Sequence, residues 1–235
     1  MPKFSTFNAF GCEEINAAQS HIPVWLGVVG PVPVGGTLKK DYARKGFLLP
    51  AGSPVNLTDK IITPLVAWVV VSYAAAGASD TYDTIVVKPA VFGGVEIAPA
   101  ADDVIQKIGA TFAATGAARA VYSSTLITEG ANAGCYTVLI AKANNLGSLN
   151  EGDVLTPSAG TAGASGKSIA CQPNGYLYND IYFGDLGGSA NEFTLAATGA
   201  VVKYHHDGLL VELTPAAAVK ELMAAAVPGV LQVLV

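Results

Sequence analysis

Apolar residues along this chain gather in short runs, and turn-forming residues separate the runs. This is the pattern of strands rather than of long helices. The most apolar run is Leu65 to Ala78, LVAWVVVSYAAAGA. Pro64 and Lys60 bound it upstream and Ser79-Asp80 close it. Trp68, Val69, Val70, Val71 and Tyr73 are aromatic or β-branched and favour an extended backbone, so the run reads as a buried strand or strand pair. Leu48 to Val55 reads as an apolar pair, a Pro/Gly turn and an apolar re-entry. Ile85 to Lys88 and Val91 to Ile97 read as strands separated by Pro89. Ala120 to Thr128 and Cys135 to Ala141 read as two more, joined by a turn-rich loop over 129–134.

Two segments read as helical. Asp102 or Asp103 is placed to cap a short helix running through Lys107 and Ile108, which Gly109 would end. Near the end, Asp207-Gly208 is a turn and Leu209 to Leu213 a strand. Thr214 and Pro215 then make an N-cap and a first helical position for Pro215 to Ala226, PAAAVKELMAAA. Val219, Leu222, Met223 and Ala226 share one face by their three-and-four spacing. Pro228-Gly229 stops this helix, and Val230 to Val235 reads as a final strand. The expectation is a mainly β fold, a sandwich or barrel-like body, with one or two short helices including one at about 215–226.

The opening residues differ from the rest. Phe4, Phe7 and Phe10 recur at a spacing of three, and the Pro/Gly stretch Val28 to Gly36 reads as a linker. The organisation read from the chain is an N-terminal arm and linker over 1–35, a β-rich domain over 36–147, and a C-terminal β-rich part with a short helix over 148–235.

Composition sharpens this picture. Of 235 residues, 51% are hydrophobic and only 13% charged, and 26 are glycine. Disordered chains have the reverse balance. The formal charge of −5 leaves no basic footprint for nucleic acid. A mean hydropathy of +0.44 calls for a membrane span or for extensive burial between chains. The Leu65 to Ala78 run is shorter than the roughly 20 apolar residues a helical crossing needs. The start, MPKFSTFNAFGCEEIN, lacks the continuous apolar stretch of a secretory signal. The expectation is therefore burial in a core and in subunit interfaces, without a membrane. Cys12, Cys135 and Cys171 are too dispersed for a disulfide framework or a paired metal site and read as small buried hydrophobes of a reducing compartment.

Candidate chemistry is sparse. Gly160 to Ser168, GTAGASGKS, resembles a phosphate-binding loop, but the required first glycine position is Thr161. His205-His206-Asp207 is the one histidine cluster, and neighbours in a strand point to opposite faces, which prevents a shared metal. A hydrolase centred on these three residues is the least favoured reading, because no GxSxG elbow accompanies them. Tyr176, Tyr178 and Tyr182 lie among Asn/Gly and Asn/Asp turns. They define an alternative reading, a carbohydrate-binding or adhesion module, since aromatic faces suit sugar rings. No cofactor and no metal site is expected.

Met1 to Phe10, MPKFSTFNAF, and Tyr42 to Val55, YARKGFLLPAGSPV, resemble segments of head fibre and capsid decoration proteins of tailed bacteriophages. The low-charge Ala/Gly/Thr/Val composition is similar too. The resemblance covers about the first quarter of the chain and carries no catalytic signature. It implies a non-enzymatic virion protein, made in the host bacterial cytoplasm and located on the capsid surface. Its partners would be the major capsid protein and other virion proteins. It implies a homo-oligomer, a trimer first and a dimer second, anchored by Phe4, Phe7 and Phe10 with the body projecting outward.

Overall fold

The computed structural model describes residues 25–28, 37–38, 48–49, 52–90, 98–109, 112–142, 149–163, 169–177, 181–182, 195–196, 198–204 and 217–234. Five strands precede the central body: β1 (Trp25–Val28), β2 (Thr37–Leu38), β3 (Leu48–Leu49), β4 (Pro54–Thr58) and β5 (Ile61–Pro64). The body comprises β6 (Trp68–Ala74), β7 (Tyr82–Pro89), β8 (Val104–Ile108), β9 (Ala114–Leu126), β10 (Tyr136–Ala141) and β11 (Val154–Pro157). There follow β12 (Gly175–Leu177), β13 (Ile181–Tyr182), β14 (Leu195–Ala196), β15 (Thr198–Tyr204), helix α1 (Ala217–Ala226) and β16 (Gly229–Leu234).

Strands β6 to β11 close into a six-stranded barrel in the order β10-β7-β6-β11-β8-β9, with every pairing antiparallel. Strands β8, β9 and β10 follow one another as neighbours, and β11 returns beside β8, which is Greek-key topology. Closure removes the open edges on which sheets otherwise aggregate. Alternation along β7 and β10 sends Ile85, Val87, Val138 and Ile140 inward. They pack with Trp68, Val70, Ile105, Val121 and Leu155 into one buried core. The expectation of a mainly β, barrel-like body with a helix near the C-terminus is met. Strand pairing also crosses residue 147, because β11 joins strands that precede it.

Sheet β14-β12-β4-β5-β2 leads into the barrel through residues 65–67 between β5 and β6, where the Val66 carbonyl accepts the hydroxyl of Thr156 on β11 at 2.7 Å. Strands β4 and β5 form a two-residue hairpin whose central residues, Asp59 and Lys60, both have positive φ, 52° and 63°. This is the primed turn that matches strand twist, built here without the glycine that usually marks it. In the third sheet, β1-β15-β16, β15 and β16 run parallel and α1 lies between them in sequence. Helix α1 buries Val219, Leu222 and Met223, with Val227 just beyond, so the expected apolar face is present through Met223, while Ala226 is exposed.

The helix expected from Asp102 or Asp103 through Ile108 is instead β8. Asp102 takes a positive φ of 71°, and the Asp103 carboxylate accepts the Ala100 N–H at 2.7 Å, so the acidic pair builds a turn. Beyond it, Val104, Ile105 and Ile108 are β-branched, and their burial between β9 and β11 outweighs the capping signal. Cys135 and Cys171 are buried, as expected of small hydrophobes, and the Cys171 thiol donates to the Thr63 carbonyl at 3.3 Å. Cys12 and the expected strands Val91 to Ile97 and Leu209 to Leu213 lie outside the described residues.

Candidate functional site

Among the described residues, a charged cluster lies inside the barrel. Along β6, Trp68 and Val70 point inward, and an irregularity between Val70 and Ser72 then shifts the register against β7. After the shift Tyr73 lies opposite the inward-facing Ile85, so the bulge has turned a tyrosine to the inside. Asp83, two residues before Ile85, shares that face and is 1% exposed. Arg119, two residues before the inward Val121 on β9, is 4% exposed.

These three side chains meet. The Tyr73 hydroxyl donates to Asp83 Oδ2 at 2.8 Å, and Arg119 Nη1 donates to the same oxygen at 3.0 Å. The Ala76 N–H donates to Asp83 Oδ1 at 2.8 Å. One carboxylate thus ties together β6, β7, β9 and the β6–β7 loop. That loop is held further by Lys142 Nζ, which donates to the Gly77 carbonyl at 2.6 Å, and by Asp80, which accepts the Gly77 N–H at 2.9 Å.

Burial raises the Tyr73 hydroxyl above its usual pKa of 10.0, and its bond to Asp83 adds to this, while Arg119 works in the opposite direction. A phenol whose folded pKa is raised contributes stability that is complete below pH 10 and lost as pH climbs through the folded value. Tyr73→Phe is expected to cost about 1–2 kcal/mol at neutral pH. The gap between wild type and variant should then narrow above pH 10 in urea titrations followed by circular dichroism. A gap that widens with alkali would contradict this assignment.

A second polar set fastens the chain after β11. Gln106 donates from Nε2 to the Gly116 carbonyl at 2.9 Å and accepts from the Ser158 hydroxyl at 3.0 Å. The Ser158 oxygen accepts the Gly160 N–H at 3.0 Å, and the Gly163 N–H donates to the Ala118 carbonyl at 2.7 Å. Two backbone donors of the GTAGASGKS segment are therefore already engaged within the protein, unlike those of a phosphate cradle.

A cleft of about 360 Å³ opens between Asn56, Phe112, the Gln172 to Asn174 segment and the end of α1 at Ala225 and Ala226. Asn174 spends its amide on both backbone groups of Leu57, each at 3.0 Å, and Asn56 donates to the Gln172 carbonyl. These amides hold β4 to the segment before β12, and among the described residues that line the cleft none is charged. Among the described residues no group of three or more His, Cys, Asp or Glu side chains converges as metal ligands would.

The outer face of the barrel differs from all of these. An irregularity between Leu139 and Ile140 in the β9–β10 register leaves Tyr122 outside the ladder as an extra residue pointing outward. Tyr82 stands opposite Ala141 on the far side of β10. The small Ala141 leaves the rings free to meet, and their centroids are 4.3 Å apart at 50°. Tyr82 is 38% and Tyr122 48% exposed. Beside them run two cross-strand rows, Ser72-Val86-Thr137-Thr125 and Ala74-Thr84-Leu139-Ser123. Neither row carries a charge, and Lys88 marks the margin opposite Val69.

The residues singled out from sequence fare differently. Tyr176 is fully buried at 0% exposure, which corrects its assignment to a sugar-binding face, because its ring is core. Tyr182 lies in β13, and Tyr178 lies outside the described residues, as do Phe4, Phe7, Phe10, His205, His206 and Asp207. Sequence reading missed Tyr82 and Tyr122, whose pairing depends on a bulge, and Asp83 and Arg119, which are 36 residues apart.

Comparison with family models, curated proteins and solved structures found no match. No helix among the described residues is long and apolar enough to cross a membrane.

Proposed function

We propose that this chain is a non-enzymatic structural subunit of a bacteriophage virion, a head fibre or capsid decoration protein that works as a homo-oligomer on the capsid surface. The observation that carries an assembly role is the uncharged patch on the outer side of β6, β7, β10 and β9 with two exposed tyrosines, in a chain only 13% charged. Large exposed apolar and aromatic surfaces on soluble proteins mark places where other molecules bind. The phage assignment rests on the resemblance of residues 1–10 and 42–55. Under it, Phe4, Phe7 and Phe10 anchor the chain to the major capsid protein, a trimer is the first expectation and a dimer the second, and the barrel belongs to the projecting body.

The test is a capsid-binding experiment. Full-length protein and a variant lacking residues 1–20, which keeps β1 beside β15, are mixed with undecorated capsids and sedimented. The full chain should co-sediment, and the shortened chain should remain in the supernatant with its circular dichroism spectrum intact. Equal co-sedimentation of both removes the anchoring role, and failure of the full chain to bind removes the virion assignment.

A further inference from the structure

We infer that the outer face of β6, β7, β10 and β9, centred on the Tyr82–Tyr122 pair, is where a second copy of this chain docks. The inference rests on the homo-oligomer reading above, in its dimeric form, and assigns its surface. The argument for a second copy as occupant is electrostatic and chemical. The chain carries a formal charge of −5, so two copies repel wherever carboxylates face each other. Among the described residues the exposed carboxylates Asp59, Asp80, Asp102, Glu129 and Glu151 lie in turns or loops at strand ends, and Glu221 lies on α1. The two cross-strand rows and the tyrosine pair bear none. This face lets like-charged copies approach without opposed charges.

The face also suits its own image. Contact between identical chains about a two-fold axis brings one patch against itself, which requires a self-complementary surface. Ser, Thr and Tyr hydroxyls each donate and accept hydrogen bonds, so a hydroxyl-rich face pairs with a copy of itself. Ser72, Thr84, Thr125 and Thr137 supply such groups around Val86 and Leu139. The tyrosines add large contact area at small entropic cost, as residues enriched in interface cores do.

The test is light scattering coupled to size exclusion on the full chain at about 10 μM, a concentration that detects micromolar association. Wild type should elute as a multiple of 23.9 kDa. Tyr82→Glu with Tyr122→Glu should give a monomer with an unchanged far-ultraviolet spectrum, because carboxylates from both copies would then face each other. The milder Tyr82→Ser with Tyr122→Ser should weaken association at least tenfold, and it decides the matter if the glutamate variant does not fold. Ile61→Glu, an exposed site on another sheet, should keep the wild-type mass. A monomeric wild type overturns the oligomer reading and this inference together. An oligomer that persists in both tyrosine variants, or that Ile61→Glu dissolves equally, overturns the assigned face and leaves the oligomer reading standing.

Discussion

Asp83→Ala is expected to lower the unfolding free energy by about 3–5 kcal/mol, because it removes the carboxylate that is ion-paired with the buried Arg119 guanidinium at 3.0 Å. Arg119 is 4% exposed, so water cannot readily replace the lost carboxylate. The loss also frees the Tyr73 hydroxyl and the Ala76 N–H, which bond the same carboxylate. Domains of this kind have total stabilities of about 5–15 kcal/mol, so the variant should sit close to its unfolding threshold. Replacing both partners, Asp83→Leu with Arg119→Met, should recover most of the loss, since the charge and its counter-charge leave together. Urea unfolding of the two single variants and the double variant gives the coupling energy. A loss below about 1 kcal/mol in Asp83→Ala would mean that water reaches the pair, and that it does not secure the barrel.

Trp68→Ala should cost a similar amount, about 3–5 kcal/mol, through a cavity rather than a charge. Trp68 is among the largest fully buried side chains and stands where β6 meets both β7 and β11, opposite Pro89 and Leu155. Strand β11 is short, and β6 contacts it through Val154 and Leu155. Loss of the indole therefore removes packing at the seam that closes the barrel. Leu155→Ala should be less damaging alone and non-additive with Trp68→Ala, because the two vacancies merge. Thermal unfolding followed by circular dichroism measures both. Additive costs within a few tenths of a kcal/mol would show that the two side chains do not share a cavity.

Both predictions concern residues whose identity is plain in the chain but whose role is not. Trp68 belongs to a run whose aromatic and β-branched composition already specifies a buried strand. The same reasoning correctly reads Ile85 to Lys88, Cys135 to Ala141 and the last helix, where composition and spacing agree with the final environment. It fails at 102–108 because a capping signal and a β-branched run compete in one segment, and burial between two strands decides the outcome. It passes over the β4–β5 hairpin because the turn uses Asp59 and Lys60 in a conformation usually signalled by glycine.

The interior cluster and the outer tyrosine pair were illegible for a different reason. Strand parity tells which side a residue faces only while the alternation is unbroken. One added residue in β6 turns Tyr73 inward to Asp83, and one in β9 leaves Tyr122 out of the ladder on the outer face, beside Tyr82. Bulges of this kind are products of pairing between distant strands, and a single strand's pattern does not contain them. The local periodicity and the scarcity of charge were enough to establish a β-rich chain with a C-terminal helix and no evident catalytic motif. Barrel closure and the burial of Asp83 with Arg119 followed from long-range pairing, because the energy of those contacts is realised only when β6 to β11 come together around one interior, and Tyr176 is buried by the equally long-range pairing of β12 with β4 and β14.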